Sequence, residues 1–230
     1  MFERIISLIG KDNLEKINKT NILVLGVGGV GGYAIETLVR TGIENITIVD
    51  YDKIDISNIN RQIIATKDNI GNYKVDEFKK RILSINNNVK ITIIKEKITK
   101  DNLNILFQNN YDFIIDACDT VIIKKLLIKE CKERNINLIT VCGMGKKLNP
   151  TLVKICDIRE TNYDPIAKSL RKYVKDEKIK GKVMCIFSPE KQIKNEENIV
   201  SSMMMVPSTA GIYAASYVIN SIIKLIEEVQ

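Results

Sequence analysis

The run Gly26-Val27-Gly28-Gly29-Val30-Gly31 is the first place in the chain where residue type and spacing point to chemistry. It follows an apolar stretch, NILVL, directly and opens an amphipathic one. In that setting the first glycine permits a tight turn, the second lets backbone N–H groups approach a phosphate, and the third lets a helix pack on a strand. Asp50 closes the next apolar stretch, NITIV, about 20 residues further on, where an acid grips ribose hydroxyls. Gly29 and Asp52 are expected to join the same cofactor-binding set. A glycine triplet alone is weak evidence, but strand, turn, helix and spaced acid together predict a nucleotide site.

The neighbouring charges bear on which nucleotide. A nicotinamide cofactor carries one pyrophosphate and needs few cations, whereas ATP calls for more positive charge and a magnesium-binding acid. Asn58, Arg61 and Gln62 in SNINRQ, Lys74 in GNYKVD and Asp119 in DACDT supply that set. Arg61 can fork onto phosphate oxygens, Lys74 can place a point charge from a helix start, and Asp119 is the expected magnesium ligand. The constellation favours ATP with Mg2+.

The elements that must position these residues follow from periodicity. Residues 21–25, 45–49, 90–94, 111–115 and 136–141 read as buried strands, with amphipathic helices over 30–41, 74–87 and 120–134. That alternation predicts an α/β fold: a Rossmann-like, doubly wound, mostly parallel sheet with ligands beyond the carboxyl ends of its strands. Beyond Pro150 the pattern changes. LVKICDI and VMCIF read as short strands, DPIAKSLRKYVK as a helix opening on an acid and a proline, 188–206 as a mobile loop, and 208–229 as a closing helix. The expected organisation is one adenylating domain, with a nucleotide-binding core over 1–150 and a substrate-binding C-terminal extension over 151–230.

Composition narrows the chemistry. With no histidine in the chain, imidazole general-base and Ser-His schemes are excluded. The five cysteines form no Cys-x-x-Cys pair, which argues against structural zinc and for reduced thiols in a cytoplasmic protein. Cys118 and Cys142 fall at strand ends, where small buried hydrophobes are common, and a thioester role for Cys185 is the reactive alternative. Residues 203–223 carry no charge, yet Pro207, Gly211, Asn220 and several hydroxyls make a buried core helix the expectation over a membrane span. The start of the chain has no signal-peptide pattern. Net charge is +7, and from Lys168 to Lys182 cations well outnumber acids, a patch suited to phosphate backbones.

The stretch GVGGVGGYAIETLVRTGIENITIVDYDKIDISNINRQ resembles the nucleotide-binding segment of the E1-like activating-enzyme family, which includes the MoeB, ThiF and HesA proteins. The resemblance implies ribose binding by Asp50, phosphate contacts from Asn58, Arg61 and Lys74, and magnesium binding by Asp119. MFERIISLIG is similar to the family's amino-terminal R-[YF]-x-R pattern, with Met1 in place of the first arginine. The second falls on Arg4, which implies a homodimer in which Arg4 reaches the partner's ATP. NRQIIATKDNIGNYK, NPTLVKICDIRETNYDPIAKSLRK, VMCIFSPE and PSTAGIYAASYVINSIIK extend the likeness over nearly the whole chain, toward the family's tRNA-modifying dehydratase branch.

That branch implies ATP-dependent cyclisation of the threonylcarbamoyl group on adenosine next to the anticodon. The basic segment 168–182, with Lys146 and Lys147, would grip the anticodon arm, and a sulfur-relay protein is a further expected partner. Two other readings stand beside it. One is adenylation of a ubiquitin-like or sulfur-carrier protein's C-terminal carboxylate, from the same ATP site. The other is an NAD-binding redox or regulatory module, which would leave Arg61, Lys74 and Asp119 without a task.

Overall fold

The computed structural model describes residues 1–194 and 200–224. Asn21–Leu25 forms β1, with Ile22, Leu23, Val24 and Leu25 all buried, as a strand covered on both faces requires. The helix α3 (Gly31–Thr41) returns the chain to β2 (Asn45–Val49), and α4 (Lys74–Ile85) leads to β3 (Lys90–Ile94). Then follow β4 (Phe113–Asp116), α5 (Val121–Glu133), β5 (Asn137–Val141), β6 (Lys154–Asp157), α6 (Pro165–Asp176), β7 (Met184–Phe187) and α7 (Met205–Ile222). The seven strands form one sheet in the order β3-β2-β1-β4-β5-β7-β6, in which only β6 runs antiparallel, against β7.

Strand order reverses between β1 and β4, the position where open parallel sheets bind ligands. Register levels the ends there: Leu25 pairs with Val49 on one side and Asp116 on the other. Gly26, Asp50 and Ala117 therefore leave the sheet side by side. Alternate residues of β1 serve opposite faces. Ile22 and Val24 join a core with α3, α4 and α7, while Leu23 and Leu25 join one with α5.

The structure revises several expected boundaries. The fourth strand begins at Phe113 rather than 111, because Asp112 is engaged at the sheet entrance, its carboxylate accepting from Asn21 N and its own N–H donating to Asn21 O. The closing helix starts at Met205, three residues' distance before Ser208, and is described to Ile222; residues 225–229 and the charged cluster around 195–199 lie outside the described residues. The uncharged stretch is explained by packing. Val206, Ala210, Ala214, Ala215 and Val218 of α7 are buried against α3 and the sheet, and no helix among the described residues is long and apolar enough to cross a membrane. The segment beyond Pro150 adds β6 and β7 to the main sheet. Two helices at the start, α1 (Glu3–Ile9) and α2 (Lys11–Lys19), lie outside the expected elements; α1 buries no residue, and α2 buries Leu14 and Ile17.

Candidate nucleotide site

A cavity of about 330 Å³ opens at the strand-order reversal. Its floor is the glycine turn. Gly26 has φ +84 and donates its N–H to Val49 O at 2.8 Å; a Cβ there would stand 2.9 Å from Ala117 O. Gly31 does not line the cavity, but a side chain on it would strike the carbonyl of Gly26, so it lets α3 start directly behind the turn. Gly28 and Gly29 present bare backbone to the cavity at the N-terminal end of α3, where oriented N–H groups favour anions.

Asp50 is fixed by the same turn. Its Oδ2 accepts from Val27 N and its Oδ1 from Asp52 N, each at 2.8 Å. Each oxygen retains a lone pair for a hydroxyl, which suits an acid placed to read a ribose. Asp52 holds the cation opposite: Lys74 Nζ lies 2.9 Å from Asp52 Oδ2, with the lysine side chain 6% exposed and the aspartate 48%. Lys74 is the first residue of α4, and its N–H donates to Asp52 O, so the ammonium is aimed from a helix start.

Asn58, Arg61 and Gln62 form one wall. Asp55 and Asn58 cap a short 3-10 turn reciprocally, Asp55 accepting from Ser57 N and Asn58 Oδ1 accepting from Asp55 N. Arg61 Nη1 donates to Ser57 O at 2.8 Å and Asn60 Oδ1 at 2.9 Å, which orients the guanidinium along the cavity. Gln62 is buried, and its Oε1 has no hydrogen-bond partner among the described residues. An orphaned acceptor of this kind costs about 1–3 kcal/mol, which a donor entering the cavity would relieve.

Asp119 lies beyond the end of β4 in the turn leading to α5, exposed at the cavity edge. No cluster of three His, Cys, Asp or Glu occurs among the described residues. One exposed carboxylate fits a magnesium ion carried on ATP phosphates and completed by water, rather than a cage made by the protein. Arg4 sits exposed on α1 and does not line this cavity.

Sequence reasoning missed the far end of the cavity. Leu25, Val49, Ile98 and Ile123 make an apolar slot there, flanked by Glu96 and by Tyr51, over whose ring Lys97 Nζ stands at 5.4 Å. The available signal was position alone, since Glu96–Ile98 follow the carboxyl end of β3.

Two expectations are corrected. Lys147 is unavailable to any polyanion: its side chain is fully buried, donating to Gly143 O at 2.8 Å, Ser188 O at 3.0 Å and Asp164 Oδ2 at 3.3 Å. Cys185 is buried in β7, 3.9 Å from Cys156 Sγ; hydrogen bonding to Cys142 and Cys156, with burial, pushes its thiol far above the ordinary range and removes the thioester role. Cys118 does line the cavity, but burial and the adjacent Asp116 carboxylate push its thiol up as well.

The basic segment folds as α6 and its tail. Asp164 caps the helix by accepting from Ala167 N at 2.8 Å, Pro165 opens it, and Ala167, Leu170 and Val174 face the core. Arg171 donates to Thr161 O, and Arg159 to the Asp157 carboxylate and the carbonyls of Ile179 and Gly181, so both serve packing. Lys168, Lys172, Lys175 and Lys178 border a shallow outer groove with them and make no salt bridge among the described residues.

A mostly parallel sheet with a glycine turn, a carboxylate and an arginine–lysine pair at its strand-order reversal has the layout of a Rossmann-like nucleotide-binding fold. Residues 2–229 match the ThiF family. The chain belongs to that family. A Bacillus subtilis tRNA threonylcarbamoyladenosine dehydratase is 39% identical over 243 residues, covering 98% of this chain and 96% of that protein. The solved structure of the Escherichia coli tRNA N6-threonylcarbamoyladenosine dehydratase in complex with ATP is similar with a TM-score of 0.91 at 33% identity, covering 100% of this chain and 96% of that one. Its complex with AMP gives a TM-score of 0.90 at 34% identity, covering 98% and 94%.

Proposed function

We propose that the protein is an ATP-dependent tRNA threonylcarbamoyladenosine dehydratase. The observation that carries this reading is the cavity itself: a ribose-reading Asp50 and the cations Arg61 and Lys74 share one pocket in a chain that matches such dehydratases along nearly its whole length. A carboxylate is a poor electrophile because oxide would have to leave. Attack of the substrate carboxylate oxygen on the ATP α-phosphorus forms the acyl–adenylate mixed anhydride and releases pyrophosphate. A nitrogen or oxygen of the same threonylcarbamoyl group then attacks the activated carbonyl carbon, closes a five-membered ring and expels AMP. The net change in the tRNA is loss of one water.

The chain's own residues bind and orient. Arg61 and Lys74 offset charge developing on the phosphates, the glycine turn holds the polyphosphate by backbone N–H groups, and Asp50 sets the ribose. A magnesium ion held at Asp119 would screen the phosphates and make pyrophosphate a better leaving group. Ring closure within one substrate draws on proximity and requires no protein nucleophile, and burial pushes up the thiol that lines the cavity, Cys118. The anticodon arm would lie along α6, where Lys168, Lys172 and Lys175 make no salt bridge among the described residues. Exposed Arg4 on a helix that buries none of its own residues is suited to reach a second copy's ATP in a cytoplasmic homodimer. A sulfur-relay protein as a further partner draws support only from the family resemblance.

The test is to incubate the protein with ATP, Mg2+ and either threonylcarbamoylated or hypomodified tRNA. Only the former is expected to lose the mass of one water, with one AMP formed per ring. Unchanged tRNA under every condition would overturn the reading, and transfer of AMP to the C-terminal carboxylate of an added carrier protein would then establish the carrier-protein alternative.

A further inference from the structure

Beneath the cavity lies a charged pair, neither member of which lines it. Asp116, the last residue of β4, and Lys124 of α5 form an ion pair at 3.1 Å with both side chains 0% exposed. Asp116 Oδ2 also accepts from Thr140 Oγ1 at 2.6 Å, and Lys124 Nζ reaches Asp116 O and Thr140 Oγ1, each at 3.4 Å. The other carboxylate oxygen accepts from Cys118 N at 3.3 Å and Cys118 Sγ at 3.1 Å. Burial alone would push the Lys124 ammonium down; the Asp116 carboxylate outweighs it and holds the group charged. A buried pair is a weak source of stability, because desolvation offsets most of the attraction.

Geometry supplies another role. Residues 117–120 form the turn that carries Asp119, and Ala117, Cys118, Asp119 and Thr120 all line the cavity. Asp116 grips this turn at the backbone of Cys118, while Lys124, one helical turn past Thr120, fixes the start of α5 to the same carboxylate. On its other side the turn abuts Gly26, where Ala117 O leaves no space for a Cβ, and Ala117 N donates to Leu25 O at 2.9 Å. Any shift of the turn therefore moves both Asp119 and the glycine floor.

We infer that Lys124 is a positioning residue for nucleotide binding: through Asp116 it holds the 117–120 turn at the height where Asp119 and the glycine turn meet the same phosphates. The inference rests on the nucleotide reading of the cavity and not on the identity of the carboxylate substrate.

The test is calorimetric titration of ATP, with and without Mg2+, into the full chain and three variants, each checked for folding by circular dichroism. Lys124→Met is expected to weaken Mg2+–ATP binding by about 10- to 100-fold, as loss of a supporting partner does at metal sites, and to reduce the gain in affinity that Mg2+ brings. Lys124→Met/Asp116→Asn removes both charges and is expected to regain melting temperature without regaining affinity. Thr140→Val, which deletes the hydroxyl with its two hydrogen bonds and keeps the shape, is expected to weaken binding in the same direction and less. A purely structural role would lower the melting temperature and leave the folded protein's affinity alone. Parental ATP affinity and Mg2+ response in any folded Lys124 variant would overturn the inference. Failure of the parent to bind ATP would instead remove the nucleotide reading.

Discussion

The two halves of the sheet each take a lysine out of water, and they use it differently. In the β3-β2-β1-β4 half, Lys124 and Asp116 are neighbours through one short turn and brace the floor of the cavity. In the β5-β7-β6 half, Lys147 joins segments far apart in the chain: the end of β5 at Gly143, the end of β7 at Ser188, and Asp164 at the cap of α6. The first arrangement sets the geometry of a few ångströms around a phosphate. The second sets where a basic helix stands relative to the sheet. Perturbing the first half is thus expected to change chemistry, and perturbing the second to change stability and docking of a large partner.

The largest effect that separates the halves is expected at Lys74. Lys74→Ala should lower kcat/KM by about 100- to 1000-fold, the scale of losing a group that stabilises transition-state charge. Stability should barely move, because the Asp52 carboxylate left behind is 48% exposed and solvated. AMP release from threonylcarbamoylated tRNA and a thermal melt check the two parts, and a large stability loss without an activity loss would break the distinction.

Lys147→Met is the mirror case. It leaves Asp164 charged and 0% exposed, and should cost about 3–5 kcal/mol of stability by denaturant titration. The folded fraction should bind ATP as the parent does, while Lys147→Met/Asp164→Asn recovers part of the loss. A selective fall in ATP affinity would show that the halves are not separable.

The smallest effect is expected on the outer face of α6. Lys172→Glu and Lys175→Glu should weaken tRNA binding and flatten its dependence on salt by about one unit of slope per lost phosphate contact. Melting temperature and ATP affinity should stay at parental values. A salt dependence identical to the parent's would remove α6 from the interface.

The same contrast explains what the sequence revealed. The glycine turn, Asp50, Arg61 and Lys74 were legible because each stands at a strand end or helix start that the apolar pattern marks, and the structure gathers them at one cavity. The parallel sheet followed from the βαβ alternation, apart from the antiparallel β6 at its edge. Lys147 was misread as a surface cation because its partners lie at 143, 164 and 188, and residue type does not reveal burial. Lys124 stood unnoticed in a helix of several lysines. Gln62 was singled out among phosphate-site residues, yet its buried, unpartnered Oε1 emerges only in three dimensions.

The central claim is that this nucleotide site activates a carboxylate carried on tRNA. The most direct measurement is the mass spectrum of tRNA nucleosides from cells with and without the protein. The account predicts that the cyclic, water-depleted form of threonylcarbamoyladenosine disappears without the protein while the open form accumulates. Identical nucleoside profiles in the two strains would contradict it.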